Sequence, residues 1–147
     1  MDKLLITLIK LQELLNEQEE VLVEEIKQLS LLKVNPVTLQ CIADSKSRLL
    51  SAINYFDTQR RQVESKGNIT APYSGNPRLA NVWKTITLKT KNLKELNYKS
   101  YLLLERHMQK VQEFKKLVKD SGMMNSLYES DGQTEHKTSG RVYNISI

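Results

Sequence analysis

The 147-residue sequence predicts an all-α fold: an antiparallel helical hairpin, one long third helix packed along it in a bundle of coiled-coil type, and a flexible C-terminal tail. Three observations predict it. Apolar residues recur at helical spacing through three long stretches. Two Asn-Pro pairs, at Asn35–Pro36 and Asn76–Pro77, restart the chain where new helices should open. Only 6% of residues are aromatic and only five are glycine, too few for a sandwich, a barrel or a nucleotide-binding α/β sheet. The length suits one domain, residues 1–121, followed by a tail, residues 122–147.

The first helix is expected over about residues 2–33. Stepping by four and three from Leu4 gives Leu8, Leu11, Leu15, Gln18, Leu22, Glu25, Leu29 and Leu32. Leu5, Ile9, Leu14, Val21 and Ile26 widen that stripe beyond a strict coiled-coil seam, which is the pattern of a helix facing a core. Lys10, Gln12 and Glu13 interrupt the N-terminal apolar residues, so the segment reads as an amphipathic helix and not as a leader. No apolar run approaches the roughly 18 residues that a membrane span needs. Stable membrane insertion is therefore not expected, and the expected location is cytoplasmic.

The second helix is expected over 36–64, with Leu39, Ile42, Leu49, Ile53, Phe56 and Val63 on one face. It runs out into "SKGNITAPYSGNP", where glycine, proline and hydroxyl residues mark the main connection. The third helix is expected over 77–120, about 65 Å long at 1.5 Å per residue. Its stripe runs Leu79, Trp83, Ile86, Thr90, Leu93, Asn97, Ser100, Leu104, His107, Val111, Phe114 and Val118, and Gly122 supplies the stop. A hairpin of two helices of about 30 residues can cover a 45-residue helix only in part. The surplus contains Leu103, Leu104, Val111, Phe114, Leu117 and Val118. These residues are either ordinary core in a bundle with a bent third helix or an exposed stripe that marks a partner site.

Charge is distributed unevenly. Residues 1–33 carry four lysines and seven acids, net −3, whereas residues 76–120 carry eleven Lys/Arg and four acids, net +7. This predicts that the first and third helices lie side by side. Lys84, Lys89, Lys91, Lys94 and Lys99, with Tyr98 or Tyr101, could also track a phosphate backbone. No nucleic-acid-binding signature accompanies them, and no nucleic-acid partner is expected.

Catalytic chemistry finds no support. His107 and His136 lie on different elements, and no phosphate loop, zinc-helix motif or nucleophile elbow occurs. The single cysteine, Cys41, excludes an intrachain disulfide and is expected as a small buried apolar residue. The run "EQEEVLVEE" is a solvated helix face, because one helix cannot wrap a metal. No enzyme activity, cofactor or metal is expected.

Beyond the third helix the sequence turns small and polar around Leu127–Tyr128, in "SLYESDGQT". An apolar–aromatic pair in such a setting is either a docking peptide, with the ring anchored in a partner's pocket, or a staple that folds back on the bundle. The closing "VYNISI" alternates as a short strand added to a partner would, or else is simply disordered, the reading its setting favours.

Several segments resemble the FlgN family: "NPRLANVWKTITLKTKNLKELN" (76–97), "YLLLE" (101–105), "LYESDGQT" (127–134), "SRLLSAINYFDTQRR" in the second helix, and the final Ile145-Ser-Ile147. Ser100–Tyr101 stands where the family commonly has Asn-Gly, Val111 where Asn is frequent, and Glu129 where Gly is usual. The first two departures add apolar surface and helix propensity at the expected docking face.

The resemblance implies a small helical cytoplasmic chaperone of flagellar type III export. Its partners would be the C-terminal segments of the hook-associated proteins FlgK and FlgL. It would also meet the cytoplasmic domain of the export gate protein FlhA, and further components of the export apparatus. Family roles would place substrate binding on Leu103, Leu104, Val111, Phe114, Leu117 and Val118, and gate docking on Leu127 and Tyr128. The alternatives are a basic helical nucleic-acid binder and a plain coiled-coil scaffold.

Overall fold

The computed structural model describes residues 2–122, and these form three helices: α1 (Asp2–Leu29), α2 (Pro36–Gly67) and α3 (Pro77–Asp120). The expected tail, with Leu127 and Tyr128, lies outside the described residues.

Both Asn-Pro pairs open helices as their chemistry dictates. The Asn35 side chain accepts from the backbone N–H groups of Val37 (2.9 Å) and Thr38 (3.4 Å), with Pro36 in the first turn. Asn76 does the same for Arg78 (3.1 Å) and Leu79 (3.3 Å). Each cap satisfies N–H groups that have no partner within the helix.

α1 stops at Leu29, four residues before the expected end. The Ser30 hydroxyl donates to the Ile26 carbonyl at 2.7 Å, competing with the helical ladder, and Pro36 biases Asn35 toward the extended backbone it adopts. Leu31 and Leu32, which look like a continuing stripe, are instead exposed in the turn. α2 runs three residues past its expected end, to Gly67. There Asn68, at φ 52, returns its N–H to the Glu64 carbonyl.

α1 is the central element and packs against both α2 and α3, which approach each other only sparsely. Leu4, Leu8, Leu11, Leu15 and Leu22 are sealed from solvent against Ile53 of α2 and Leu79, Trp83, Ile86 and Leu93 of α3. Burial of each such side chain contributes about 1.5–3 kcal/mol. The expectation of an acidic helix beside a basic one matches this contact between α1 and α3. Cys41, however, is exposed: its neighbour Ile42 takes the inward position, and one residue of helical rotation turns the thiol out.

Two polar clusters interrupt the apolar core. At the connected end of α2 and α3, Arg60 is 2% exposed and its Nε donates to Asp57 Oδ1 at 2.9 Å, its Nη1 to Glu64 Oε2 at 3.0 Å. The same guanidinium lies 4.6 Å from the centre of the Trp83 ring. Tyr73, in the connection, donates its hydroxyl to Glu64 at 2.5 Å and meets Trp83 edge-on, with ring centres 5.7 Å apart. Tyr73 has φ 61, and its bonds to Glu64 and to the Thr70 carbonyl hold it there. Burial alone lowers the Arg60 pKa, but the bond to Tyr73 and the carboxylates of Asp57 and Glu64 outweigh it, so the guanidinium is held more firmly charged. The second cluster, Glu25 with Lys46 and Ser100, ties all three helices together.

Candidate functional site

The cross-helix bonds fix the register of α1 against α3. Asn92 donates to Glu19 at 2.9 Å, and Ser100 donates its hydroxyl to Glu25. Both partners advance together, so the helices are parallel and Leu29 comes level with about Leu104. The remainder of α3, residues 105–120, continues past the body of the hairpin for roughly 24 Å at 1.5 Å per residue.

The burial pattern follows this register as far as Ser100, and Val118 near the end of α3 departs from it. Core positions on α3 recur from Leu79 to Ser100. Beyond Ser100 the six expected docking residues separate into two stripes. Leu104 and Val111 continue the core register from Ser100 and are half-buried; Val118, on the same line, is 9% exposed. Leu103 is half-buried, whereas Phe114 and Leu117 are 60% and 67% exposed, and these three fall on an outward line.

That outward line is not purely apolar. Lys99, Leu103, Arg106, Lys110, Phe114 and Leu117 are separated by steps of four, three, four, four and three residues, which keeps them on one side of an α-helix. Its three cations are exposed. Sequence reasoning placed Lys99 in a phosphate-tracking set and gave Arg106 and Lys110 no role. The spacing that joins them to Leu103 and Phe114 was readable from the sequence alone. Of the other lysines in that set, Lys84, Lys91 and Lys94 are exposed and Lys89 is half-buried.

α1 presents the opposite charge. Glu13, Glu17, Glu20 and Glu24 repeat at four, three and four residues along its solvent face, and all are exposed. Between Lys10 and Lys27 α1 carries six glutamates and no cation. Among the described residues no group of three or more His, Cys, Asp or Glu side chains is placed to hold a metal, and no helix is long and apolar enough to cross a membrane.

Fold and site together define a small all-α protein organised around one overlong helix, whose free turns combine apolar and cationic side chains. The family model described as "FlgN protein" matches residues 1–136. The Flagella synthesis protein FlgN of Salmonella typhimurium is 35% identical over 120 residues, covering 82% of this chain and 81% of the relative. The protein of the same name from Yersinia enterocolitica is 33% identical over 97 residues, 66% of each chain. That from Escherichia coli is 29% identical over 120 residues, with 82% and 81% coverage. The chain belongs to the FlgN family.

Proposed function

We propose that the chain is a cytoplasmic chaperone of flagellar protein export. It captures the C-terminal segments of the hook-associated proteins FlgK and FlgL on the free turns of α3 and presents them to the cytoplasmic domain of FlhA. The observation that carries this reading is the mismatch in length between α3 and the hairpin. Phe114 and Leu117 extend into solvent on turns that the hairpin body does not reach, where an amphipathic helix of the client can pack by helix-in-groove contact. Family membership supports the flagellar context, since the relatives are named flagella synthesis proteins. In this reading Leu127 and Tyr128, outside the described residues, carry the gate contact.

The test is co-purification with FlgK and FlgL. Phe114→Asp is expected to abolish capture while leaving the melting temperature unchanged, because the side chain is exposed. Tyr128→Ala is expected to retain the client and lose affinity for the FlhA cytoplasmic domain. Capture that survives Phe114→Asp and Leu117→Asp together removes the reading.

A further inference from the structure

We propose that the free turns of α3 select their client by charge as well as by apolar contact: the occupant is an amphipathic helix with a row of carboxylates along one edge of its apolar stripe. The inference rests on the chaperone reading for its setting, and it adds the chemistry of the segment that is held.

The outward line of α3 reads cation, apolar, cation, cation, apolar, apolar, from Lys99 through Leu103, Arg106, Lys110 and Phe114 to Leu117. A helix laid along it meets alternating demands. Its apolar side chains reach Leu103, Phe114 and Leu117, while side chains one turn away along the same edge meet Lys99, Arg106 and Lys110. Carboxylates at those places gain charge-assisted hydrogen bonds, and ammonium groups meet like charge. The arginine adds a planar two-pronged donor suited to a carboxylate.

The rest of the molecule sharpens this preference. The exposed glutamate row on α1, Glu13, Glu17, Glu20 and Glu24, repels an acidic helix from the body of the bundle. From Ile26 to Ala43, through the turn beside the free end of α3, the chain carries Lys27 and Lys33 and no acid. Repulsion therefore runs along the α1 flank, while attraction lies along α3, from the exposed Lys84, Lys91 and Lys94 on its body to the cations of its free turns. An acidic amphipathic segment is steered toward α3, and apolar contact with the exposed Phe114 and Leu117 fixes it at the free turns.

The test uses the full chain and two designed helical peptides that share one leucine stripe, one edged with glutamate and the other with lysine. The glutamate-edged peptide is expected to bind at least about tenfold more tightly, with affinity falling as salt screens the contact. Arg106→Glu with Lys110→Glu is expected to reverse the preference without moving the melting temperature, and Phe114→Asp to weaken both peptides. Equal affinity for the two peptides, or a preference untouched by the double reversal, overturns the inference. So does binding to phosphatidylglycerol vesicles with no binding of the glutamate-edged peptide, because the cations would then serve a lipid surface. Loss of FlgK capture leaves the peptide preference measurable, so failure of the chaperone reading is distinguished from failure of this one.

Discussion

Glu25 of α1 and Lys46 of α2 form an ion pair, Oε1 to Nζ 2.9 Å, with side chains only 8% and 13% exposed. The same carboxylate oxygen accepts the Ser100 hydroxyl of α3. A charge this far from water is tolerated because both partners and a third donor are supplied at once. The knot sits where α1 nears its end, and it fixes the level at which α3 leaves the hairpin.

Lys46→Met removes the cation and leaves the buried Glu25 carboxylate with the Ser100 hydroxyl but without its ion-pair partner. The expected loss is about 3 kcal/mol of stability, measured by urea denaturation. Glu25→Gln with Lys46→Met removes both charges together and is expected to recover part of that loss. A double variant no more stable than Lys46→Met would show that the pair itself, and not the stranded charge, sets the cost.

Burial first, and then donation to Glu64, push the Tyr73 phenol well above its ordinary range, against the opposing effect of Arg60. A raised pKa means that the folded state holds the proton more tightly than the unfolded state does. Its stabilising effect is complete below the unfolded value of about 10 and is lost as pH climbs above it. Tyr73→Phe is expected to cost about 1–2 kcal/mol at neutral pH through the lost hydrogen bond. The variant's stability should also decline less steeply than that of the parent above about pH 10, which thermal melts across that range would resolve.

Asn76→Ala strips the first turn of α3 of its two capping bonds. The expected cost is about 1 kcal/mol, and Asn76→Ser should restore most of it. The readout is the urea midpoint of each variant.

Amide exchange along α3 should divide near Leu104. Residues from Leu79 to Ser100 share the core with α1 and are expected to exchange only on global opening, whereas amides beyond Leu104 should exchange through local opening orders of magnitude faster. Uniform protection to Asp120 in the isolated chain would contradict the free end.

The exposed Cys41 thiol should react with a maleimide at the rate of an unhindered cysteine in the native protein, with no change in circular dichroism. Reaction that waits for denaturant would place the thiol inside.

Much of this architecture was legible in the sequence. The Asn-Pro pairs announced α2 and α3 because capping is local chemistry, decided by two or three neighbouring residues. The apolar stripes gave the inward faces, and comparing helix lengths revealed that α3 has turns to spare. What escaped depends on groups far apart in the chain. Arg60 and Asp57 drew no role from the sequence, because Trp83 and Tyr73 close over Arg60 from other elements and no periodicity reports such a partner. The end of α1 was missed because Leu31 and Leu32 keep apolar character past the point where Ser30 bonds back. At the candidate site, residue type led and spacing lagged: six apolar residues were grouped as one surface. Their intervals place Leu104, Val111 and Val118 on one line and Leu103, Phe114 and Leu117 on another.

The parallel register of α1 and α3 separates two kinds of constraint along a single helix. Substitutions before Ser100 are policed by the fit of the leucine core, where one misplaced methylene is felt. Past Leu104 most side chains answer chiefly to whatever they grip, since exposed changes rarely shift stability by more than about 0.5 kcal/mol. Recognition in such a scaffold is free to drift among lineages, or to be rewritten by design, while the three-helix framework stays the same.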